Sequence, residues 1–197
     1  MGLFTRFMIA EDGGPGCEPV TVKDLLDWLR LTDYDDASQL ARLITMAREQ
    51  AEEITSLAFI TRSIVVRYDA LAGELVLPCP PVQTVESVKY IDTAGKEQEV
   101  DKDLYELGQT CGVGRVRLAY NQVWPSDGRG QPESVSVEAT CGYGDEPGDC
   151  PERARQFILD LAGFRYVQRL SVVTGPAASE VPGTMAELLA TLRRNIV

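Results

Sequence analysis

The stretch Asp35–Phe59, DDASQLARLITMAREQAEEITSLAF, reads as one long amphipathic helix, and the remaining elements are placed relative to it. Apolar side chains at Leu40, Leu43, Ile44, Ala47, Ala51, Ile54 and Ala58 follow the i, i+3, i+4, i+7 spacing that stacks successive turns on one face. Asp36 and Gln39 have the spacing of a capping box, in which a side-chain oxygen takes an orphaned backbone N–H, so a helix is expected over 36–58. The opposite face carries Gln39, Arg42, Arg48, Glu49, Glu52 and Glu53. Such a helix buries one stripe and shows the other to water or to a partner.

Working outward, Thr21 and Asp24 repeat the capping pattern and open a short helix over 21–31, with Val22, Leu25, Leu26 and Leu29 on its inner side. The Thr32–Asp36 turn joins it to the long helix as an αα-hairpin. Residues 1–19 hold Gly13, Gly14, Pro15, Gly16 and Pro19 with little periodicity. An irregular N-terminal arm is expected there, which frays unless it lies against something such as another subunit.

Between residues 60 and 143 the pattern changes to period two. Ile64, Val66 and Tyr68, then Leu75 and Leu77, Val88 and Tyr90, Val116, Leu118 and Tyr120, and Val135, Val137 and Ala139 alternate with other side chains. Alternation of this kind marks half-buried antiparallel strands, five to seven of them, in a meander or sandwich. Thr93–Lys96 and Ser126–Gly130 supply turns, and Pro78–Pro81, with three prolines in four positions, predicts a rigid crossing at a sheet edge. Gly112 and Gly114, and Gly142 and Gly144, read as strand-end turns needing positive φ.

Asp149, Pro151 and Glu152 have the order cap, proline, capping partner, and predict a helix over 150–170. Its stripe is Ala154, Phe157, Ile158, Leu161, Ala162 and Arg165, with Gly163 as a weak point. A loop over 171–183 leads to a last helix with Met185, Leu188, Leu189, Leu192 and Ile196 apolar, and Arg193 and Arg194 complementing the dipole at its C-terminal end. The fold class is thus α+β: an N-terminal αα-hairpin, a small antiparallel β-domain and C-terminal helices. One domain over 20–170 is expected, followed by the loop and helix of 171–197.

Composition restricts the chemistry. The chain has five cysteines, none in a C-x-x-C pair, and no histidine. Histidine-dependent triads and ordinary Cys/His zinc sites are excluded, and free thiols in a reducing compartment are expected. No apolar run approaches the roughly 20 residues of a membrane span, and the N-terminal stretch is too short for a secretory signal, so a cytoplasmic product is expected. The net charge of −11 is uneven: residues 1–59 and 60–150 are acidic, whereas 151–197 carry four acidic and six basic side chains. An acidic body opposes sequence-independent nucleic-acid binding, which depends on cations displacing condensed counterions. The basic segment is where an acidic partner would dock, and Arg165, Arg169, Leu188, Leu192, Arg193 and Arg194 are the candidate partner-binding residues. Plain solvation is the other reading of these arginines.

No nucleophile, base and orienting group assemble by type and spacing. The two glycine pairs complete no phosphate-binding motif, and Asp145, Glu146 and Asp149 lack the order of a calcium loop. No cofactor, metal or enzymatic activity is expected.

Several strings in order carry a resemblance: the run from Val20 to Val66, then LPCPPVQTVESVKYID over Leu77–Asp92, Trp124–Pro125, and VSVEATCGYG followed by CPERARQFILDLAGFRYVQR. Over about residues 20–170 the chain resembles the tailed-phage head–tail connector (adaptor) family, also met in prophages and gene transfer agents. The resemblance implies a structural protein with helices beside a small β-domain, assembled as a ring, typically a dodecamer, in the virion neck. It further implies a portal protein on one side, a tail-completion or stopper protein on the other, DNA passing through the channel without specific binding, and assembly in the host cytoplasm. The arm before residue 20 and the 171–183 loop fall outside the pattern. Another neck or tail component, such as a completion or terminator protein, and a small metal-dependent hydrolase are the competing readings.

Overall fold

A computed structural model describes residues 7–32, 36–71, 73–110 and 113–170. The expected turn at Gly112, the 171–183 loop and the last helix lie outside the described residues. The fold is α+β, with three α-helices and two antiparallel sheets among the described residues. The described residues group into two compact units: residues 7–15 with 61–142, and residues 16–60 with those from 143 onward.

The helical unit is built from α1 (Val22–Leu29), α2 (Ala37–Thr55) and α3 (Glu152–Leu170). α1 starts as the sequence predicts: the Asp24 N–H donates to the Thr21 hydroxyl at 3.1 Å, and the Thr21 N–H donates to the Asp24 carboxylate at 2.9 Å. α2 does not. Asp36 makes no side-chain cap; its carboxylate accepts instead from the Tyr166 hydroxyl at 3.1 Å. α2 also ends short of Ala58, because Ser56 turns into the left-handed region (φ 56°) and its N–H closes on the Glu52 carbonyl at 2.7 Å. Asp149 likewise caps a 3-10 turn rather than α3, accepting from the Glu146 N–H at 3.0 Å. The α3 stripe is buried as expected: Ala154, Phe157, Ile158, Leu161 and Ala162 meet Leu25, Leu26, Leu40, Ile44, Ala47 and Phe59 in one apolar core. Gly163 lies against Trp28 and Leu29 of α1.

In the β unit, a five-stranded sheet runs in the order β1 (Phe7–Asp12), β2 (Arg62–Tyr68), β8 (Val135–Cys141), β4 (Val82–Ile91) and β5 (Glu97–Glu99). A three-stranded sheet runs β3 (Leu75–Val76), β7 (Val113–Leu118) and β6 (Tyr105–Thr110). The two sheets hold eight strands among the described residues, more than the alternation predicts, because β5 is polar throughout and β6 carries no regular alternation. Ile64, Val66 and Tyr68 pair across to Ala139, Val137 and Val135, and all six are buried.

Two expectations are corrected here and a third is located. Part of the 1–19 arm is a strand: Phe7–Asp12 occupies the free edge of β2, with a register shift between Ile9 and Glu11 that breaks the period-two alternation of a regular strand. Tyr120 does not continue β7 but stands in the following loop, 98% exposed. The Pro78–Pro81 segment is the crossing that its prolines predict: it leaves β3, an edge strand of one sheet, and enters β4, an interior strand of the other. There the Leu77 N–H donates to the Gly114 carbonyl and the Gly142 N–H to the Pro81 carbonyl, both at 2.9 Å, which fixes the crossing without ladder bonds from the prolines.

Candidate interaction surfaces

Which face of α2 reaches the surface is decided by a buried ionic group. Arg48 donates from Nε to Glu18 at 2.8 Å and from Nη1 to Glu52 at 2.7 Å. The second Glu52 oxygen accepts from the Phe59 N–H at 3.0 Å, and the second Glu18 oxygen from the Thr45 hydroxyl at 2.8 Å. Arg48 and Glu52 are 6% and 9% exposed, so the charged face expected to contain them does not. A carboxylate at this depth requires both a cation and donors, and here it has both. The buried row runs Leu40, Ile44, Ala47, Arg48, Ala51, Glu52 and Thr55. Relative to the apolar pattern this face is rotated, and it leaves Arg42, Met46, Glu49 and Glu53 outward.

Met46, Glu49, Gln50, Glu53, Ile54 and Arg165 line an open groove between α2 and α3. Arg165, the first candidate partner-binding residue, is half-buried there and donates to the Gln50 side-chain carbonyl. Arg169 belongs to α3, but its side chain is not among those described, and Leu188, Leu192, Arg193 and Arg194 lie outside the described residues. Met46, half exposed in this groove, is a surface feature that apolar periodicity does not single out.

The β unit presents two unlike sheet edges. β1 carries Met8 and Ile9, 50% and 40% exposed, whereas β5 is Glu97, Gln98 and Glu99, all exposed. The loop from Ala119 to Ser134 is anchored by Trp124, whose indole N–H donates to the Gly73 carbonyl at 3.3 Å, and by backbone bonds from Thr93 to Asp127 and from Arg129 to Ile91. The Tyr90 hydroxyl donates to the Asp127 carboxylate at 3.0 Å. These anchors leave Tyr120 and Val123 projecting, Val123 with 78% exposure.

The remaining motifs are accounted for by packing. A Cβ on Gly114 would stand 2.5 Å from Val82 Cγ2, and one on Gly144 would stand 2.2 Å from the Asp149 carboxylate. Close approach, rather than positive φ, demands glycine at these two positions; Gly142 (φ 127°) fits the expected turn chemistry. Asp149 is spent on the 3-10 turn, and the Asp145 carbonyl accepts from the Cys17 thiol at 3.3 Å. Among the described residues no group of three or more cysteine, aspartate or glutamate side chains is placed to hold a metal ion, and no helix is long and apolar enough to cross a membrane.

With this geometry in place, the fold can be compared with known ones. No protein-family model matches the chain, and no curated protein sequence does. Solved structures do. A chain in the neck of an empty gene transfer agent particle, computed with C6 symmetry, superimposes with a TM-score of 0.76 at 22% identity, covering 98% of this chain and 97% of that one. A chain of the virion of a native gene transfer agent particle gives 0.75 at 22%, covering 97% and 96%. A chain in the neck of the native particle, computed with C12 symmetry, gives 0.74 at 21%, covering 98% and 97%. The fold is therefore shared, over nearly its whole length, with chains of gene transfer agent particles, two of them in neck structures.

Proposed function

We propose that this protein is a structural head–tail adaptor of a phage-like or gene transfer agent particle. In this reading it forms a ring, a dodecamer, that joins the portal to the tail and extends the DNA channel, and it catalyses no reaction. The observation that carries the reading is end-to-end fold sharing with chains of particles whose necks were computed with six- and twelve-fold symmetry. The Leu77–Asp92 string supports it independently, through its resemblance to the connector family.

A closed ring is built from a heterologous contact, in which one surface of a subunit meets a different surface of the next. The apolar β1 edge and the acidic β5 edge are unlike surfaces of the kind such a contact needs. The net charge of −11 suits a channel wall that repels the DNA backbone and lets it slide. Arg165, Arg169, Leu188, Leu192, Arg193 and Arg194 are assigned to portal docking, with a stopper or tail-completion protein on the opposite side of the ring.

Light scattering of the full-length protein, alone and mixed with portal rings, tests this. A ring-sized particle, or a monomer that becomes one only on the portal, is the expected result. Charge reversal at Arg193 and Arg194 then weakens portal capture. A monomer indifferent to the portal removes the adaptor reading.

A further inference from the structure

Cys141 ends β8, and its Cα is paired with Val82, the first residue of β4. Cys79 lies three residues before Val82 in the Pro78–Pro81 crossing, and the neighbouring Pro81 carbonyl accepts the Gly142 N–H. The pairing of β4 with β8 therefore brings two cysteines far apart in sequence to the same end of the same ladder. The Cys141 thiol donates to the Arg62 carbonyl at 3.7 Å, and the Cys79 side chain is near enough to be the first cause of its raised pKa. Cys141 is fully buried, while Cys79 is half-buried and reachable from solvent. The other described cysteines are engaged differently: Cys17 donates to the Asp145 carbonyl and Cys150 to the Pro151 carbonyl.

We propose that Cys79 and Cys141 form a dithiol site that closes to an intrachain disulfide by exchange with small-molecule disulfides of the oxidised-glutathione class. The neighbouring Cys79 side chain, together with burial, holds the Cys141 thiol far above its ordinary pKa, so the solvent-reachable Cys79 is the first nucleophile. Its thiolate attacks one sulfur of the small disulfide, forming a mixed disulfide and expelling a thiolate that takes up a proton. The Cys141 sulfur then attacks the Cys79 sulfur, its proton passing to the departing small thiolate, which leaves as the second small thiol. Two protein thiols are oxidised and one small disulfide is reduced to two thiols. The exchange runs forward in oxidising surroundings and backward in reducing ones. Closure ties the crossing between the two sheets to the end of β8.

The test is to equilibrate the full-length protein with oxidised glutathione, alkylate the remaining thiols, and map peptides without reduction. The expected product is a Cys79–Cys141 linked peptide, with a rise in melting temperature of about 5 °C that dithiothreitol reverses. Cys79→Ser, at the half-buried position, abolishes both, while Cys141→Ser retains a glutathione adduct on Cys79. Persistence of that adduct on Cys79 in the wild-type protein, or alkylation of both Cys79 and Cys141 after prolonged exchange, overturns the proposal.

Discussion

In the β unit the inward side chains of β2 and β8 are apolar or aromatic at Ile64, Val66, Tyr68, Val135, Val137 and Ala139, and the guanidinium on that face, Arg62, stands at the end of β2 and pairs at 3.3 Å with the exposed Asp12, whereas the helical unit draws both a guanidinium and its carboxylate, Arg48 and Glu52, into its interior. The difference follows from where each architecture leaves backbone groups without partners. A strand in the middle of a sheet satisfies its N–H and C=O groups from the strands on either side, so its inward side chains have only to fill space. A helix that ends inside the protein passes on a chain whose next donors need acceptors. Beyond the turn at Ser56 the Phe59 N–H is such a donor; Glu52 accepts it, Arg48 balances the Glu52 charge, and the partly exposed Glu18 accepts from the Arg48 Nε–H. Buried charge in the helical unit is thus a consequence of how α2 terminates.

The largest expected effect comes from breaking that balance. Arg48→Met leaves the Glu52 carboxylate buried without its cation and lowers stability by about 3 kcal/mol in urea unfolding. Adding Glu52→Gln, which keeps an oxygen for the Phe59 N–H and removes the charge, recovers at least half of the loss. A double variant as unstable as the single one would dissociate Glu52 from the effect. The β unit is sensitive to volume instead. Gly114→Ala forces a methyl group to within 2.7 Å of Val82 Cβ, and costs about 2 kcal/mol by the same measurement. The matched change in the helical unit, Gly163→Ala, meets nothing nearer than 3.4 Å, so it serves as the contrast and leaves stability unchanged or raised.

The smallest effect lies at the start of α1. Burial acts to raise the Asp24 pKa, but hydrogen bonds from the Thr21 N–H and hydroxyl outweigh it and hold the carboxyl below its ordinary 3.8. A depressed folded-state pKa means a contribution that is fully present above that ordinary value and is lost as pH falls through the folded one. Thr21→Ala therefore costs about 1 kcal/mol at neutral pH, and its deficit against wild type narrows in acid below pH 3.8. A deficit constant down to acid would mean that the cap works without the charge.

The same contrast governs what the sequence discloses. The α3 stripe and the β2 and β8 alternations are legible because each face is apolar over most of its length, with a cation only at one end, Arg165 in α3 and Arg62 in β2, and periodicity needs no knowledge of the partner. The apolar stripe of α2 points a fraction of a turn away from its true buried face: Arg48 and Glu52 are buried only because Glu18 and the Phe59 N–H await them, and neither is visible in a helical wheel. β1 is hidden by its register shift and by the adjoining Gly/Pro stretch; its strand character depends on the open edge of β2, more than fifty residues downstream in numbering. Of the candidate partner residues, α3 places Arg165 beside Gln50 in the α2–α3 groove, a contact that charge counting does not reveal.

The chain leaves the helical unit after Ile60 and returns to it at Tyr143. During synthesis α1 and α2 therefore emerge well before the helix that completes their core, with Leu25, Leu40 and Ile44 lacking Phe157, Ile158 and Leu161. The β strands between 61 and 142 are all available while those two helices still wait. On a ribosome the β unit has the earlier opportunity to close, and the first-made helices are the last to gain a finished interior.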